Sequence, residues 1–329
     1  MRKPVLIAAA SFDEPSYEPV AALLENQGYP VIIYKTDKLL SGEDRLVIDL
    51  TSETPAISYN EASILPDDLS AAWFRKVASF TLPDAEAQLA KQLYMNNEVR
   101  ALHDTIWPVF YPEGIWLSSP ANIAQAERKL SQLLLARQIG FNVPETIVGS
   151  DWEAIGAALL RQPGAQIIVK MMRGVISEGN QIKVLHTTVL DAERVNAISD
   201  STSPFPGLYQ PYVPKSREWR VTVVGGDVFS AAIYTDMTAK DDWRKHQNSG
   251  TVRFEAGVVP DEIAHRCILF VQKMGLGFGA FDFIEQPDGK IVFLECNPNG
   301  QYGWLEEDLG FPISASIASA LVRVAKDRQ

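Results

Sequence analysis

Three oxygen-bearing side chains in the last fifth of the chain have types and spacing that suit a hard metal ion: Asp282, Glu295 and Asn297. They lie on or beside two apolar segments, Gly279–Glu285 and Lys290–Cys296, which a short turn joins. This pattern predicts a β-hairpin. Oxygen ligands without His or Cys are those that Mg²⁺ prefers, and Mg²⁺ commonly shares its site with phosphate oxygens. The same residues could instead form a solvated polar face that ends in an ordinary turn.

The register of this hairpin decides whether the three groups meet. Side chains alternate along a strand, so Glu295 and Asn297 share one face. If Glu285 pairs with Lys290, Asp282 lies opposite Phe293 and shares that face as well. A two-residue turn would preserve this arrangement, whereas a three-residue loop would break it.

Several cations precede the hairpin and could hold phosphates. Lys129 lies on a predicted amphipathic helix, and Lys170 ends an apolar strand just before a glycine-containing loop. Arg220 shares a strand face with Glu218, and the forked guanidinium of arginine suits phosphate. Arg244 lies in a polar segment. Each of these residues alone could equally be an ordinary solvated side chain.

The elements that must position these residues divide the chain into three modules of mixed α/β and α+β class. Residues 1–118 begin with a β-α-β pattern, which predicts a parallel sheet. Residues 119–206 carry the amphipathic helix Asn122–Ile139, a second helix over Trp152–Leu160, strands and the glycine-containing loop Met171–Asn180. Residues 207–329 are mostly strands and hold the metal candidates.

Composition and charge exclude several classes of function. The net charge of −11 and the pI of about 4.9 disfavour binding to nucleic acid and to anionic membranes. The two cysteines form no metal-binding pattern and are typical of a cytoplasmic protein. No apolar stretch is long enough to span a bilayer. The first strand leads into Ala8–Phe12 without a GxGxxG motif, which disfavours a dehydrogenase.

The order and spacing of these residues resemble those of the ATP-grasp superfamily. The resemblance implies a pre-ATP-grasp domain followed by a two-part grasp, with ATP and Mg²⁺ as cofactors. It implies that Lys129 and Lys170 contact ATP, that Arg220 binds phosphate, and that Asp282, Glu295 and Asn297 hold the metal. It also implies that Gln210, Tyr212 and Val213 form the hinge that binds adenine. Glu218 would contact the ribose, and the loop Met171–Asn180 would be a lid.

A narrower resemblance covers nearly the whole chain. Four blocks resemble the graspetide synthetases, which are peptide macrocyclases of the microviridin type: WFR at 73–75, REWRVTVVG at 217–225, DWR at 242–244 and LECNPNGQYGWLE at 294–306. One departure is Tyr302, where tryptophan is commoner, and its smaller ring bears on the substrate side.

This resemblance implies an ADP-forming ligase that activates a side-chain carboxylate of a ribosomal precursor peptide as an acyl phosphate. A hydroxyl or amine of the same peptide then closes an ester or amide. Arg220 and Arg244 are the implied catalytic residues, and Trp73 and Arg75 are candidates for the substrate side. The alternative interpretation is that Trp73 is a core aromatic at a strand end and that Arg75 belongs to a surface ion pair. The partners implied are a precursor with leader and core segments and, often, a second copy of the chain.

Two other functions stay open at this point. The chain could be a ligase that adds an amino acid to a small molecule or a protein terminus. It could also be a non-catalytic ATP-binding protein, although the complete metal trio argues against that. A neighbouring reading frame for a short peptide rich in Thr and Glu or Asp would favour the macrocyclase.

Overall fold

The computed structural model describes residues 2–39, 41–75, 89–160, 165–170, 175–178, 181–184, 188–191, 193–195, 206–235 and 252–328. Its mixed architecture, with one parallel sheet and several antiparallel sheets, confirms the predicted fold class. None of the helices within these ranges combines the length and the apolar character needed to cross a membrane.

The N-terminal part begins with the predicted β-α-β unit. Its elements are β1 (Val5–Ala9), α1 (Glu14–Asn26), β2 (Val31–Lys35) and β6 (Ala71–Phe74). The three strands form a parallel sheet in the order β2-β1-β6, and β1 is buried along its whole length because its side chains are all apolar. A separate antiparallel sheet contains β3 (Leu46–Asp49), β4 (Ala56–Tyr59) and β5 (Ala62–Ser63).

The helix predicted over Asn122–Ile139 is broken into two. After α2 (Leu89–Phe110), the chain forms α3 (Pro120–Ala126) and α4 (Lys129–Gln138). The Ser119 hydroxyl accepts a hydrogen bond from the Asn122 N–H and so begins α3, with Pro120 in the first turn. Arg128 has an extended backbone, which separates the helices and places Lys129 at the start of α4.

The central sheet is antiparallel and has the order β11-β8-β12-β7. Its elements are β7 (Ile147–Gly149), α5 (Trp152–Leu159), β8 (Gln166–Lys170), β11 (Thr188–Asp191) and β12 (Gly207–Pro211), and a hairpin of β9 (Val175–Glu178) and β10 (Gln181–Val184) lies between β8 and β11 in sequence. The strand β12, which the sequence pattern groups with the third module, therefore pairs with strands of the second.

The C-terminal sheet is antiparallel and has the order β15-β14-β13-β16-β17. Its strands are β13 (Arg217–Val224), β14 (Asp227–Thr235), β15 (Val252–Gly257), β16 (Phe278–Glu285) and β17 (Ile291–Asn297), and the associated helices are α6 (Asp261–Lys273), α7 (Gly303–Leu309) and α8 (Ile313–Asp327).

Two apolar cores cover the two faces of this sheet. On one face, Phe270 of α6 packs with Phe281 and Phe293, together with side chains of α3 and α4. On the other, Phe278 and Ala280 join a core that contains α8, α1 and the N-terminal parallel sheet. The C-terminal sheet and the N-terminal part thus share one core, which fixes their relative position.

Candidate active site

A row of charged side chains crosses the C-terminal sheet. Arg220 of β13 pairs with Asp282 of β16, which in turn pairs with Glu295 of β17. Paired residues on antiparallel strands point to the same face, so the three side chains are neighbours. Arg220 Nη1 donates to Asp282 Oδ1 at 2.8 Å, and both side chains are buried. The Arg220 Nε is also buried, and it has no hydrogen-bond acceptor among the residues that the structure describes.

A β-bulge brings Asp282 and Glu295 together. The turn spans residues 286–290, because Glu285 pairs with Ile291 rather than with Lys290. This odd number of turn residues would place Asp282 and Glu295 on opposite faces. The register shifts between Asp282 and Phe283, which leaves Leu294 unpaired as an extra residue on β17. The predicted pairing was therefore wrong, while the predicted common face is present.

Lys129 reaches the same row from outside the sheet. Its Nζ lies 3.3 Å from Glu295 Oε2, and both side chains are about a quarter exposed. The helix break before Lys129 places it at the first turn of α4, beside the edge strand β17. The row thus has a cation at each end and two carboxylates between them. This arrangement is suited to an anionic ligand together with a divalent cation.

Gln132 fixes the edge strand between the metal candidates, and the sequence analysis missed it. Its Nε2 donates to the Cys296 carbonyl at 2.8 Å, and its Oε1 accepts from the Cys296 N–H at 2.8 Å. This buried amide therefore pairs the free edge of β17 at the residue between Glu295 and Asn297. No sequence signal identified it, because a glutamine on an amphipathic helix is normally exposed.

Asn297 lies one row further along and opens a tight loop. It pairs with Ala280, and its Oδ1 accepts from the Asn299 N–H at 3.3 Å. Gly300 packs so closely that a Cβ there would lie 2.5 Å from the Cβ of Ala280 and 2.7 Å from Arg220 Nη2. Only glycine fits this position, so the loop is held directly against the charged row.

The donor set fits Mg²⁺ better than a metal that needs a complete protein cage. Within the described ranges, no group of three or more His, Cys, Asp or Glu side chains is arranged to hold a metal ion. Asp282, Glu295 and Asn297 supply two carboxylates and an amide, which suits an ion that completes its shell with water and phosphate oxygens. The orphaned Nε of Arg220 adds a donor for an anion beside them.

Two of the residues predicted to contact the nucleotide, Lys170 and Gln210, lie on the central sheet. Lys170 pairs with Leu208 on the face of the central sheet that also carries Gln210. The Gln210 Nε2 donates to the Thr146 hydroxyl at 2.9 Å. Its buried Oε1 has no partner within the described part of the chain, which leaves an acceptor for a ligand N–H.

Two further residues of this predicted nucleotide site have partners within the protein. The Tyr212 N–H donates to the Gln166 carbonyl at 2.8 Å, so this N–H of the predicted hinge is engaged within the protein. Glu218 accepts a hydrogen bond from Lys215 at 2.6 Å. Arg244 lies outside the described residues, as does much of the predicted lid Met171–Asn180.

Trp73 and Arg75 offer no exposed surface to a substrate. Trp73 is 3% exposed in the core shared with α1 and α8, and Arg75 is 1% exposed. Tyr302 is fully buried as well, so its ring does not form the substrate side, contrary to expectation. Arg75 forms an ion pair with Asp13 at 2.8 Å, and both partners are buried because the N-terminal part packs against the loop that follows Asn297.

Comparison with known proteins places this architecture. No model of a known protein family matches the chain. A probable alpha-L-glutamate ligase of Rhodopirellula baltica is 26% identical over 202 residues, which are 61% of this chain and 48% of that protein. The chain thus spans about half the length of this curated relative.

Solved structures match over almost the whole chain. A RiPP-associated ATP-grasp ligase of Chryseobacterium gregarium, in complex with ADP and a leader and core peptide, has a TM-score of 0.84 at 24% identity, over 98% of this chain and 97% of that one. The macrocyclase MdnC of Microcystis aeruginosa, bound with the precursor peptide MdnA, has a TM-score of 0.79 at 25% identity, over 97% and 99% of the two chains. The chain therefore has the fold of the ATP-grasp ligases, and the solved structures that it resembles include the macrocyclases MdnC and MdnB of Microcystis aeruginosa.

Proposed function

We propose that the protein is an ADP-forming ligase that joins side chains of a ribosomal precursor peptide through ester or amide bonds. The observation that carries this proposal is the charged row of Arg220, Asp282, Glu295 and Lys129, which combines two metal-binding carboxylates with two phosphate-binding cations. The similarity to ligases and macrocyclases in complex with peptides supports the class of substrate.

The residues of the row would hold the triphosphate of ATP. Asp282, Glu295 and Asn297 would hold Mg²⁺, which when bound withdraws charge from the phosphate oxygens. Arg220, through its unpartnered Nε, and Lys129 would neutralise the charge that remains.

The central sheet would hold the remainder of the nucleotide. Lys170 would contact the phosphates, and the Gln210 Oε1 would accept from the base, beside the backbone of Tyr212 and Val213. Glu218 would bind the ribose.

The chemistry that follows needs two transfers. A carboxylate oxygen of the peptide bonds to the γ-phosphorus, the bond to the β,γ-bridging oxygen breaks, and ADP leaves. A hydroxyl or amine of the same peptide then attacks the acyl carbon, loses its proton and expels phosphate. Arg220 would stabilise the transferred group, and Arg244 is proposed to orient the acyl phosphate or the attacking group.

The partner is proposed to be a precursor peptide with leader and core segments, and the place of action the cytoplasm, with a homodimer as the expected assembly. A ligase that adds single amino acids is the second candidate, which the similarity to a probable alpha-L-glutamate ligase favours.

Mass spectrometry separates these two candidates. The protein is co-expressed with a short peptide from a neighbouring reading frame, and the peptide is weighed. A macrocyclase removes one water per cross-link, and methanolysis then opens esters but not amides. A mass increase by amino-acid residues would support the second candidate, and Glu295→Gln serves as the inactive control.

A further inference from the structure

Arg75 connects the N-terminal parallel sheet to the loop that carries Asn297. Its Nε donates to Asp13 Oδ2 at 2.8 Å, and its Nη1 donates to the carbonyls of Asn299 at 2.8 Å and Gly300 at 3.1 Å. Its Nη2 donates to Gln301 Oε1 at 2.9 Å. All three nitrogens of this buried guanidinium are therefore matched by acceptors, three of which lie in consecutive residues of one loop.

A second arginine, which lies on the C-terminal sheet, holds the same loop. Arg220 Nη2 donates to the Gln301 carbonyl at 3.0 Å, while its Nη1 donates to Asp282. Carbonyls 299 to 301 are thus held by two guanidiniums, one from the N-terminal sheet and one from the charged row. A loop held by donors from two different sheets has little freedom to shift.

Further hydrogen bonds tie the loop to the N-terminal part of the chain. Gln301 Nε2 donates to Asp13 Oδ1 at 2.6 Å, and Gln301 Oε1 also accepts from the Ser16 hydroxyl at 3.0 Å. The Tyr302 hydroxyl donates to the Ser16 carbonyl, and Arg75 lies over the Tyr302 ring at 5.5 Å. The position of the loop is therefore set by α1 and the turn before it.

Asn297 is sensitive to the position of this loop. Its Oδ1 accepts from the Asn299 N–H, and its carbonyl accepts from the Gly300 N–H at 3.2 Å. A shift of residues 299 and 300 would therefore turn the Asn297 amide. Groups that orient a metal ligand without touching the metal commonly change metal affinity by about 10- to 100-fold when they are lost.

We propose that Arg75 is a positioning residue for the metal site: it fixes carbonyls 299 and 300 and thereby orients Asn297 for Mg²⁺. This inference rests on the proposed function of Asn297. It replaces the substrate contact expected for Arg75 with a role that its complete burial permits. It also gives the N-terminal part of the chain a direct effect on Mg²⁺ affinity.

The test is the Mg²⁺ dependence of nucleotide binding by the full chain without any peptide. A non-hydrolysable ATP analogue is titrated at increasing Mg²⁺ in the wild type and in Arg75→Lys. Lysine keeps the charge opposite Asp13 but cannot reproduce the fork that reaches both carbonyls. We expect the Mg²⁺ midpoint to rise about tenfold or more, with nucleotide affinity at saturating Mg²⁺ little changed.

Tyr111→Phe is the matched control for a loss of stability alone. It removes a buried hydrogen bond from the Tyr111 hydroxyl to the Ile64 carbonyl, in the N-terminal part and outside the loop network. We expect it to lower the Tm without moving the Mg²⁺ midpoint. Gln301→Ala is the second variant in case Arg75→Lys does not fold; it removes the side-chain bonds to Arg75 and Asp13 and should raise the midpoint by a smaller factor.

The outcomes separate this inference from the proposed function. If Arg75→Lys has the same Mg²⁺ midpoint as the wild type, the positioning role is wrong and the proposed function is unaffected. If only Gln301→Ala folds, an unchanged Mg²⁺ midpoint in that variant has the same meaning. Nucleotide binding by the wild type that does not depend on Mg²⁺ at all would overturn both.

Discussion

Two ion pairs join the same two strands, and they differ in how completely their groups are matched. Arg217 pairs with Glu285 and Arg220 pairs with Asp282, both between β13 and β16. An odd separation of three residues places the two pairs on opposite faces of the sheet.

The Arg217 pair is complete in itself. Its Nε and Nη2 donate to the two Glu285 oxygens at 2.8 and 2.9 Å, and Trp219 Nε1 donates to Glu285 at 2.7 Å. The remaining Nη1 donates to the Tyr234 hydroxyl at 3.0 Å. These hydrogen bonds, foremost those from Arg217, lower the pKa of Glu285 against the opposing effect of burial.

The Arg220 pair is incomplete and lies beside a second carboxylate. Arg220 Nη1 donates to Asp282, while its buried Nε has no partner among the described residues, and Glu295 follows in the same row. A buried donor without a partner carries a cost that a ligand can remove. A complete ion pair stabilises a fold, whereas an incomplete pair beside another carboxylate is suited to a ligand.

The largest effect is expected for Glu295→Gln. The change keeps the shape of the side chain but removes a charge from the metal set, so turnover should fall by at least about a thousandfold. Peptide dehydration by mass spectrometry and the thermal midpoint are measured together. Glu285→Gln on the opposite face should keep its turnover, and near-normal turnover of Glu295→Gln would remove Glu295 from the metal set.

Arg220→Ala should lower kcat by about 10²- to 10³-fold, because it removes a group that stabilises charge in the transition state. Arg220→Lys, which keeps the charge opposite the buried Asp282, shows whether loss of folding contributes. Initial rates at varied ATP separate kcat from KM. A rise in KM alone would make Arg220 a binder of the ground state, and Arg217→Ala should leave both parameters near those of the wild type.

Glu285→Gln should give the smallest effect, on stability only. We expect a loss of about 1–2 kcal/mol at neutral pH, since the pair is partly exposed. Because the folded-state pKa of Glu285 lies below its ordinary value of 4.5, its contribution is present above that value and is lost as the pH falls through the lowered pKa. Urea titrations of both proteins should converge at acid pH; a constant difference would contradict this assignment.

The sequence pattern predicted which residues share a strand face. It did not predict the turn and the bulge that bring them together. Alternation along β17 placed Glu295 with Asn297 correctly, but the five-residue turn and the Leu294 bulge were not predictable from a hairpin pattern alone. The odd-numbered turn and the bulge each shift the alternation of side chains by one residue. The two shifts cancel, so Asp282 lies opposite Glu295.

Long-range packing was beyond the sequence pattern. Arg75 was identified as a notable residue, but its partner Asp13 and the carbonyls of the loop lie far away in sequence, and only the fold brings them together. Likewise, Gln132 bonds to the edge of β17 across 164 positions of sequence. Such contacts leave no local periodicity from which to predict them.

The proposed function requires that Asp282, Glu295 and Asn297 hold Mg²⁺ against the phosphates of a nucleotide. Calorimetry of a non-hydrolysable ATP analogue, with and without Mg²⁺, tests it most directly when the wild type, Asp282→Asn and Glu285→Gln are compared. We predict that the wild type and Glu285→Gln bind the analogue only when Mg²⁺ is present. Asp282→Asn should bind the analogue weakly, whether or not Mg²⁺ is present. Equal affinity with and without Mg²⁺ in the wild type would contradict the claim.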